Sequence, residues 1–425
     1  MDLSKIKQVH FIGIGGIGIS AIARMFLAEG KAVSGSDQGS SPVTEELIKL
    51  GAKIAFGHAA ENVPVEAELV VYTIAVTSDN PELIKAQERE LPTYSYPQIL
   101  GLVSAAKYTI AVAGTHGKTT TTAMLAKIFI DVGLEPTVIV GSFLKDQKSN
   151  FIAGNSDYFI VEACEYRRSF LNLNPQVLVI TNIDNDHLDY YRDLADIQSA
   201  FVELSQKVPA DGYLICDTSS PELAPVVAAA SCQVLDYRAV TTDFALKVPG
   251  AHNIKNAQAA LVVAETQAIA FIAAAHALAG FSGTWRRFEY RGLTKTGAQV
   301  YDDYGHHPTE VKATLAGVRG LVPGKVFVAF QPHLFSRTKQ LFKEFSESFT
   351  DAGEVIVLPI YAARETPDPT VSAEQLAAAI GATGQPARAM NFESAIDYLA
   401  SAAGPDDLIL TMGAGDVFKI AETLV

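Results

Sequence analysis

The chain has 425 residues, 48% of them hydrophobic and 19% charged, too long for one ordinary core, so about two to four domains are implied. Its 47 acidic against 33 basic residues give a net charge of −14, which argues against a broad nucleic-acid footprint and against an anionic membrane surface. Cys164, Cys216 and Cys232 are odd in number and lack C-x-x-C spacing, so neither a disulfide framework nor a zinc site is indicated.

The opening MDLSKIKQVHFIGIGGIG shows no charged leader with a cleavable site, and the longest apolar run, near 268–279, is too short to span a bilayer. A cytoplasmic protein is expected. Residues 9–12 read as a first strand, followed by Gly13, Gly15, Gly16 and Gly18 and a helix over 19–29. A strand at 32–35 ends near Asp37, where a doubly wound fold sets an acid against a ribose. This fingerprint reports a diphosphate at a helix N-terminus and leaves the nucleotide open. A strand at 69–73 and a helix at 81–90 continue the α/β alternation, and a first domain closes near 106.

Residues 108–113 read as a buried strand and Met124 onward as an apolar helix, so the polar segment between them lies at a strand-to-helix turn. The backbone N–H groups of Gly114, Thr115, His116 and Gly117 are placed to converge on an anion there. Lys118 would reach the outer phosphates of a nucleotide, the Thr119 hydroxyl would bind Mg2+, and Thr120 completes the segment. Val112 stands where the general phosphate-loop pattern wants glycine, so this loop is a shorter variant.

A strand at 137–140 leads to a polar loop, and a strand at 158–161 delivers Glu162 at its carboxyl end. The strand at 177–181 ends in Asn182, Asp184, Asp186 and His187, so His187 occupies an equivalent edge, and the Glu162 carboxylate and the His187 imidazole are candidate metal ligands. Helix 195–206 and strand 213–216 follow, then an irregular stretch over 218–248. His252 and Asn253 precede a long Ala-rich helix from about Asn256, fit either to read a base edge or to cap the helix. Arg286, Arg287 and Arg291 concentrate basic charge in an acidic chain, and guanidinium suits phosphate.

A third α/β unit starts near Gln299. Its strands end in Asp303, Tyr304, His306 and His307, in Gln331, His333 and Arg337, in Tyr361 and Arg364, and in Gly413, Gly415 and Asp416. Three α/β domains, 1–106, 107–294 and 295–425, are expected to assemble reacting groups between them.

Taken together, HFIGIGGIGISAIA, GTHGKTTTT, VEACEYRRSFL, TNIDNDHLDYY, GAHNIKNAQAA, RRFEYRG, YDDYGHHPTEV, QPHLFSRT and TMGAGD resemble the Mur ligase family over essentially the whole chain. The resemblance implies a Rossmann-like first domain that binds UDP-sugar through Gly13, Gly15, Gly16, Gly18 and Asp37. It further implies a central P-loop ATPase-like domain and a Rossmann-like third domain that admits the amino acid.

It assigns Lys118 to ATP phosphates, Thr119, Glu162 and His187 to magnesium, His252 and Asn256 to adenine, Arg287 to the phosphates and Asp303 to the ATP ribose. Tyr304, His307 and Arg337 would line the amino-acid pocket, with Arg337 on the amino-acid carboxylate and His307 a candidate base. The implied reaction is ATP-dependent joining of L-alanine to the carboxylate of UDP-N-acetylmuramate through an acyl phosphate, by a monomer or homodimer without nucleic acid or membrane.

Leu334 replaces an arginine of many members, and 217–250 is shorter than in many. No lysine suited to carbamylation follows the metal histidine, as in the alanine-adding branch. An NAD-dependent oxidoreductase, a non-catalytic nucleotide-binding regulator and a tripeptide-adding ligase are the rival readings.

Overall fold

The computed structural model describes residues 1–145, 149–363 and 365–425, so Arg364 lies outside the described residues. The chain divides into two compact units: residues 1–184, 195–243 and 256–278 form one, residues 185–194, 244–255 and 279–425 the other.

The first unit carries two sheets. One is parallel, with β1 (Gln8–Ile12), β2 (Ala32–Asp37), β3 (Lys53–Phe56), β4 (Leu69–Tyr72) and β5 (Thr93–Ser95) in the order β3-β2-β1-β4-β5. Strand order reverses beside β1, so the glycine turn after β1 opens at the switch point where such sheets take ligands. Helix starts follow local chemistry: Pro42–Lys49 and Tyr96–Ala105 begin with serine capping boxes and an early proline, and Pro81–Glu88 begins under the Asn80 side chain. The first long helix runs Ile17–Ala28, two positions ahead of the expected 19, so Gly18 lies inside its first turn.

The second sheet contains β6 (Tyr108–Ala113), β7 (Thr137–Leu144), β8 (Ser149–Ile152), β9 (Tyr158–Glu162), β10 (Val177–Ile180), β11 (Tyr213–Cys216) and β12 (Gln233–Asp236). Their order is β12-β11-β10-β6-β9-β7-β8, with only β8 antiparallel. Ile110, Ala111, Val112 and Ala113 of β6 are fully buried at the centre, which is why this strand reads as a continuous apolar run.

Two stretches depart from expectation. The strand expected to stop at 140 runs on to Leu144 and is followed by antiparallel β8. Asn150 of β8 accepts from Arg24 at 2.7 Å and donates to the Ser20 hydroxyl at 3.1 Å and to the Ile17 carbonyl, a long-range anchor that local sequence does not announce. The stretch read as irregular, 218–248, contains the helix Ala224–Ala229 and the edge strand β12, none of whose residues is fully buried.

The second unit carries β13 (Glu289–Leu293), β14 (Gln299–Asp303), β15 (Val326–Phe330), β16 (Glu354–Val357), β17 (Ala387–Ala389) and β18 (Leu408–Met412). They lie in the order β13-β14-β18-β15-β16-β17, with only β13 antiparallel. One apolar cluster includes Val311, Leu315, Phe330 and Phe345, and another Ile356, Ile409 and Ile420. The division expected at 294 falls at the end of β13, which hydrogen-bonds into this sheet. Its charged residues conceal the two-residue period. Among the described residues no helix is long and apolar enough to cross a membrane.

Candidate active site

The first glycine turn is held from within. Gly13 takes φ +74°, a left-handed conformation that glycine adopts freely, and Asp37 Oδ2 accepts the Gly15 N–H at 2.7 Å. A Cβ on Gly15 would stand 2.9 Å from that oxygen, and one on Gly18 2.8 Å from the Tyr96 ring. Gly16 precedes the helix without a side-chain cap, which leaves its first N–H groups for an anion. Beside Asp37, Ser36 donates to the fully buried Glu82 at 2.8 Å, and Glu82 also meets His10 at 2.8 Å and His58 at 3.0 Å.

At the second turn, Gly114 (φ +126°) and Gly117 (φ +85°) bend the chain into the helix Lys118–Asp131. Two N–H groups expected to face an anion do not: Thr115 donates to the Asn182 carbonyl at 3.0 Å and His116 to the Asn182 side-chain oxygen at 2.9 Å. Asn182, just beyond β10, clamps the loop to the sheet. The helix start carries no side-chain cap, so the orphan donors of its first turn, where Lys118, Thr119 and Thr120 lie, keep the anion site.

Lys118 folds back onto this loop. Its ammonium donates to the Gly114 carbonyl at 2.6 Å, the Thr115 carbonyl at 2.9 Å and Glu165 Oε1 at 3.0 Å. Burial opposes its charge, but the carboxylates of Glu165 and Glu162 help hold its pKa above the ordinary lysine value. The Thr119 hydroxyl lies 2.9 Å from Glu162 Oε2, which also accepts the Gly141 N–H at 2.7 Å. A hydroxyl and a carboxylate so close are the hard oxygen donors magnesium takes, so these residues fit that ion. His116 meets Asp184 at 3.1 Å. Asn256 packs on the loop itself, its side-chain oxygen 2.5 Å from where a Cβ on Gly117 would stand.

The second unit holds the remaining candidates. His252 lies within the helix Ala251–Thr266, which starts earlier than expected, and its ring packs on Gly250. Asp303 accepts the N–H groups of Gly305 at 2.7 Å and Phe288 at 2.8 Å. Burial pushes its pKa up to about 6, against the pull of Arg287 and these two donors. Arg287 stands 5.2 Å from the Tyr304 ring centre and 3.6 Å from Glu310. Its neighbour Arg286 is buried, bound to Asp302 at 2.7 Å and to the Gly413 and Gly415 carbonyls, and so serves the fold.

His307 caps the helix Pro308–Val318: Nδ1 accepts from Thr309 at 3.3 Å, and Nε2 lies 3.0 Å from the Asn185 carbonyl, which makes Nε2 the protonated nitrogen. With both nitrogens engaged, His307 is better placed to orient than to take a proton. The N–H of His187, itself at φ +53°, donates to Asp186 at 2.7 Å. Arg337, on the helix Phe335–Gln340 behind the buried Leu334, binds Asp186 through Nε (3.2 Å) and Nη2 (2.8 Å).

Within the first unit, then, Lys118, Thr119, Glu162 and Asn256 gather on one loop. Within the second, Arg287 and Tyr304 meet in one group, and His187 and Arg337 both bind Asp186. The local partners Glu165, Asn182 and Asp186 were missed as functional residues. Their signal was available, since all three follow strand ends within the polar blocks VEACEYRRSFL and TNIDNDHLDYY.

Comparison with known proteins fits this arrangement. The family profiles described as Mur ligase family, catalytic domain; Mur ligase middle domain; and Mur ligase, glutamate ligase domain match residues 8–108, 112–243 and 286–415. The UDP-N-acetylmuramate--L-alanine ligase of Clostridium acetobutylicum is 42% identical over 98% of this chain and 97% of its own length. That of Clostridium perfringens is 40% identical over 98% and 97%. The crystal structure of UDP-N-acetylmuramate-alanine ligase from Thermotoga maritima superimposes with a TM-score of 0.82 at 26% identity, covering 98% of both chains. A murein peptide ligase from Psychrobacter arcticus, 23% identical, shares the fold with a TM-score of 0.72 over 98% of both. With an uncapped phosphate loop, a hydroxyl and carboxylate suited to a metal, and relatives alike over nearly their full length, the chain belongs to the Mur ligase family.

Proposed function

We propose that the protein is an ATP-dependent ligase that joins L-alanine to the carboxylate of UDP-N-acetylmuramate, a step in peptidoglycan precursor synthesis. The observation that carries this reading is the uncapped helix start bearing Lys118 and Thr119, with Glu162 2.9 Å from the Thr119 hydroxyl. The glycine turn at Gly13, Gly15, Gly16 and Gly18, shaped by Asp37, takes the UDP moiety, with domain limits near 106 and just ahead of β13. The protein works in the cytoplasm as a monomer or homodimer.

A carboxylate is a poor electrophile, so the muramyl carboxylate first attacks the γ-phosphate of ATP, giving an acyl phosphate and ADP. Lys118 exchanges its carbonyl and Glu165 partners for phosphate oxygens, and the helix start offers its free N–H groups, so this transfer rests on positioning and charge. Thr119, Glu162 and His187 are the residues that would hold Mg2+, which supplies neutralisation of phosphate charge. Asn256 and His252 serve the adenine, Asp303 the ribose, and Arg287 the phosphates. Arg337 takes the alanine carboxylate while Tyr304 and His307 orient the amine. The amine, its ammonium proton lost to solvent, attacks the acyl carbon; the adduct gives up a second N–H proton to solvent, and the tetrahedral intermediate expels phosphate.

The test is phosphate release with ATP, magnesium and UDP-N-acetylmuramate, adding L-alanine, glycine, L-serine or a tripeptide separately. Release dependent on L-alanine supports the reading. Release only with the tripeptide would reassign the protein to a peptide-adding ligase, and none with any acceptor would overturn ligase activity.

A further inference from the structure

The Nε–Nη2 edge of Arg337 is engaged within its own unit. Nε and Nη2 donate to Asp186 Oδ1 at 3.2 and 2.8 Å, and Nη1 lies 3.1 Å from His333 Nδ1. Both partners are buried, with side-chain exposures of 8% for Arg337 and 9% for Asp186. They line a shallow pocket, together with Ser336 and Gln340, whose enclosed space is about 10 Å³, room for a single water while the pair is closed. A carboxylate that takes the Nε–Nη2 edge, the side-on fork of the guanidinium, must take the position Asp186 now holds.

That exchange has an electrostatic condition. Removing one partner of a buried ion pair leaves the other charge uncompensated, which is strongly unfavourable. A bare carboxylate could satisfy Arg337 but would leave the Asp186 charge with only the His187 N–H to offset it. A zwitterion brings an ammonium as well, and so compensates both.

We propose that Asp186 is a specificity-determining residue that holds Arg337 until an α-amino acid arrives and then binds its ammonium while Arg337 binds its carboxylate. The inference rests on the assignment of this pocket to L-alanine. It makes the resting ion pair an internal copy of the ligand, selecting molecules that carry both charges. Simple acids are rejected because they supply half of the exchange.

The experiment compares L-alanine with propionate, which lacks only the amino group, in wild type, Asp186→Asn and Asp186→Glu. Alanine KM and the competitive inhibition constant of propionate are read from phosphate release at saturating ATP, magnesium and UDP-N-acetylmuramate. Wild type should favour alanine by about 100-fold, the scale of making one charged hydrogen bond instead of breaking one. Asp186→Asn should weaken alanine by about 10-fold or more and tighten propionate, so the ratio collapses, and Asp186→Glu should restore much of it.

A ratio unchanged in Asp186→Asn, or both ligands weakened in parallel, would overturn the proposal. So would less than about 10-fold discrimination in wild type, a readout that survives if the variants fail to fold. If wild type releases no alanine-dependent phosphate, the functional assignment fails instead. Equilibrium dialysis of alanine and propionate then still measures the ratio.

Discussion

The ammonium of Lys118 lies 2.9 Å from Glu165 Oε2, in a pair whose side chains are 13% and 3% exposed. The lysine assigned to ATP is thus parked on a buried carboxylate. Lys118→Met should reduce turnover by at least about 100-fold, as loss of a charge-stabilising donor does, while UDP-sugar binding survives. It also strips Glu165 of its ammonium partner, so stability should fall by about 3 kcal/mol. Adding Glu165→Gln should recover most of that stability and none of the activity. Thermal melting and phosphate release separate the two effects, and wild-type turnover in Lys118→Met would refute the loop assignment.

Gly18→Ala places a methyl group 2.8 Å from the Tyr96 ring inside the first helical turn. The ring or the helix start must shift, which displaces the N–H groups assigned to the UDP diphosphate. The expected outcome is a KM for UDP-N-acetylmuramate raised about 10-fold with that for ATP little changed. Initial-rate kinetics with each substrate varied decide it, and equal effects on both would remove the turn from sugar-nucleotide binding.

Arg337→Ala should chiefly raise the KM for alanine, by about 10- to 100-fold for the loss of a charged hydrogen bond. An alanine dependence equal to wild type would take Arg337 out of the pocket.

Asp303 binds its proton more tightly in the folded protein than in the unfolded chain, since burial pushes its pKa up from 3.8 to about 6. Between these values the native state holds more protons than the unfolded state, so this group's contribution to stability falls as pH rises from about 4 to 6. Above pH 6 the buried charge stays as a cost of the order of 2–3 kcal/mol. Asp303→Asn turns an amide NH2 toward one of the two backbone donors, a cost that does not vary with pH, so the melting temperature of the variant relative to wild type should rise as pH goes from 4.5 to 7.5. ATP affinity should fall in the same variant. A gap that does not change with pH would contradict the burial account.

The phosphate loop was legible because its determinants are local: glycines at a strand-to-helix turn, then Lys118 and Thr119. The three sheets were legible because buried parallel strands read as apolar runs. Strands β3, β5, β8, β12, β13 and β17 were not, because each is short and partly exposed and so carries no such run. Partners distant in sequence were the least visible. Asp186 and Arg337 are 151 residues apart, and no local pattern tells an arginine that a carboxylate of its own chain already holds it. Asn182, similarly remote from Thr115 and His116, turned two expected anion donors inward.

The central claim is that the muramyl carboxylate is activated by direct phosphorylation. It is tested by placing 18O in that carboxylate of UDP-N-acetylmuramate and following the label during turnover with ATP, magnesium and L-alanine. One labelled oxygen should appear in each phosphate released, in step with amide product and abolished by Lys118→Met. Phosphate free of label while the amide accumulates would contradict the account.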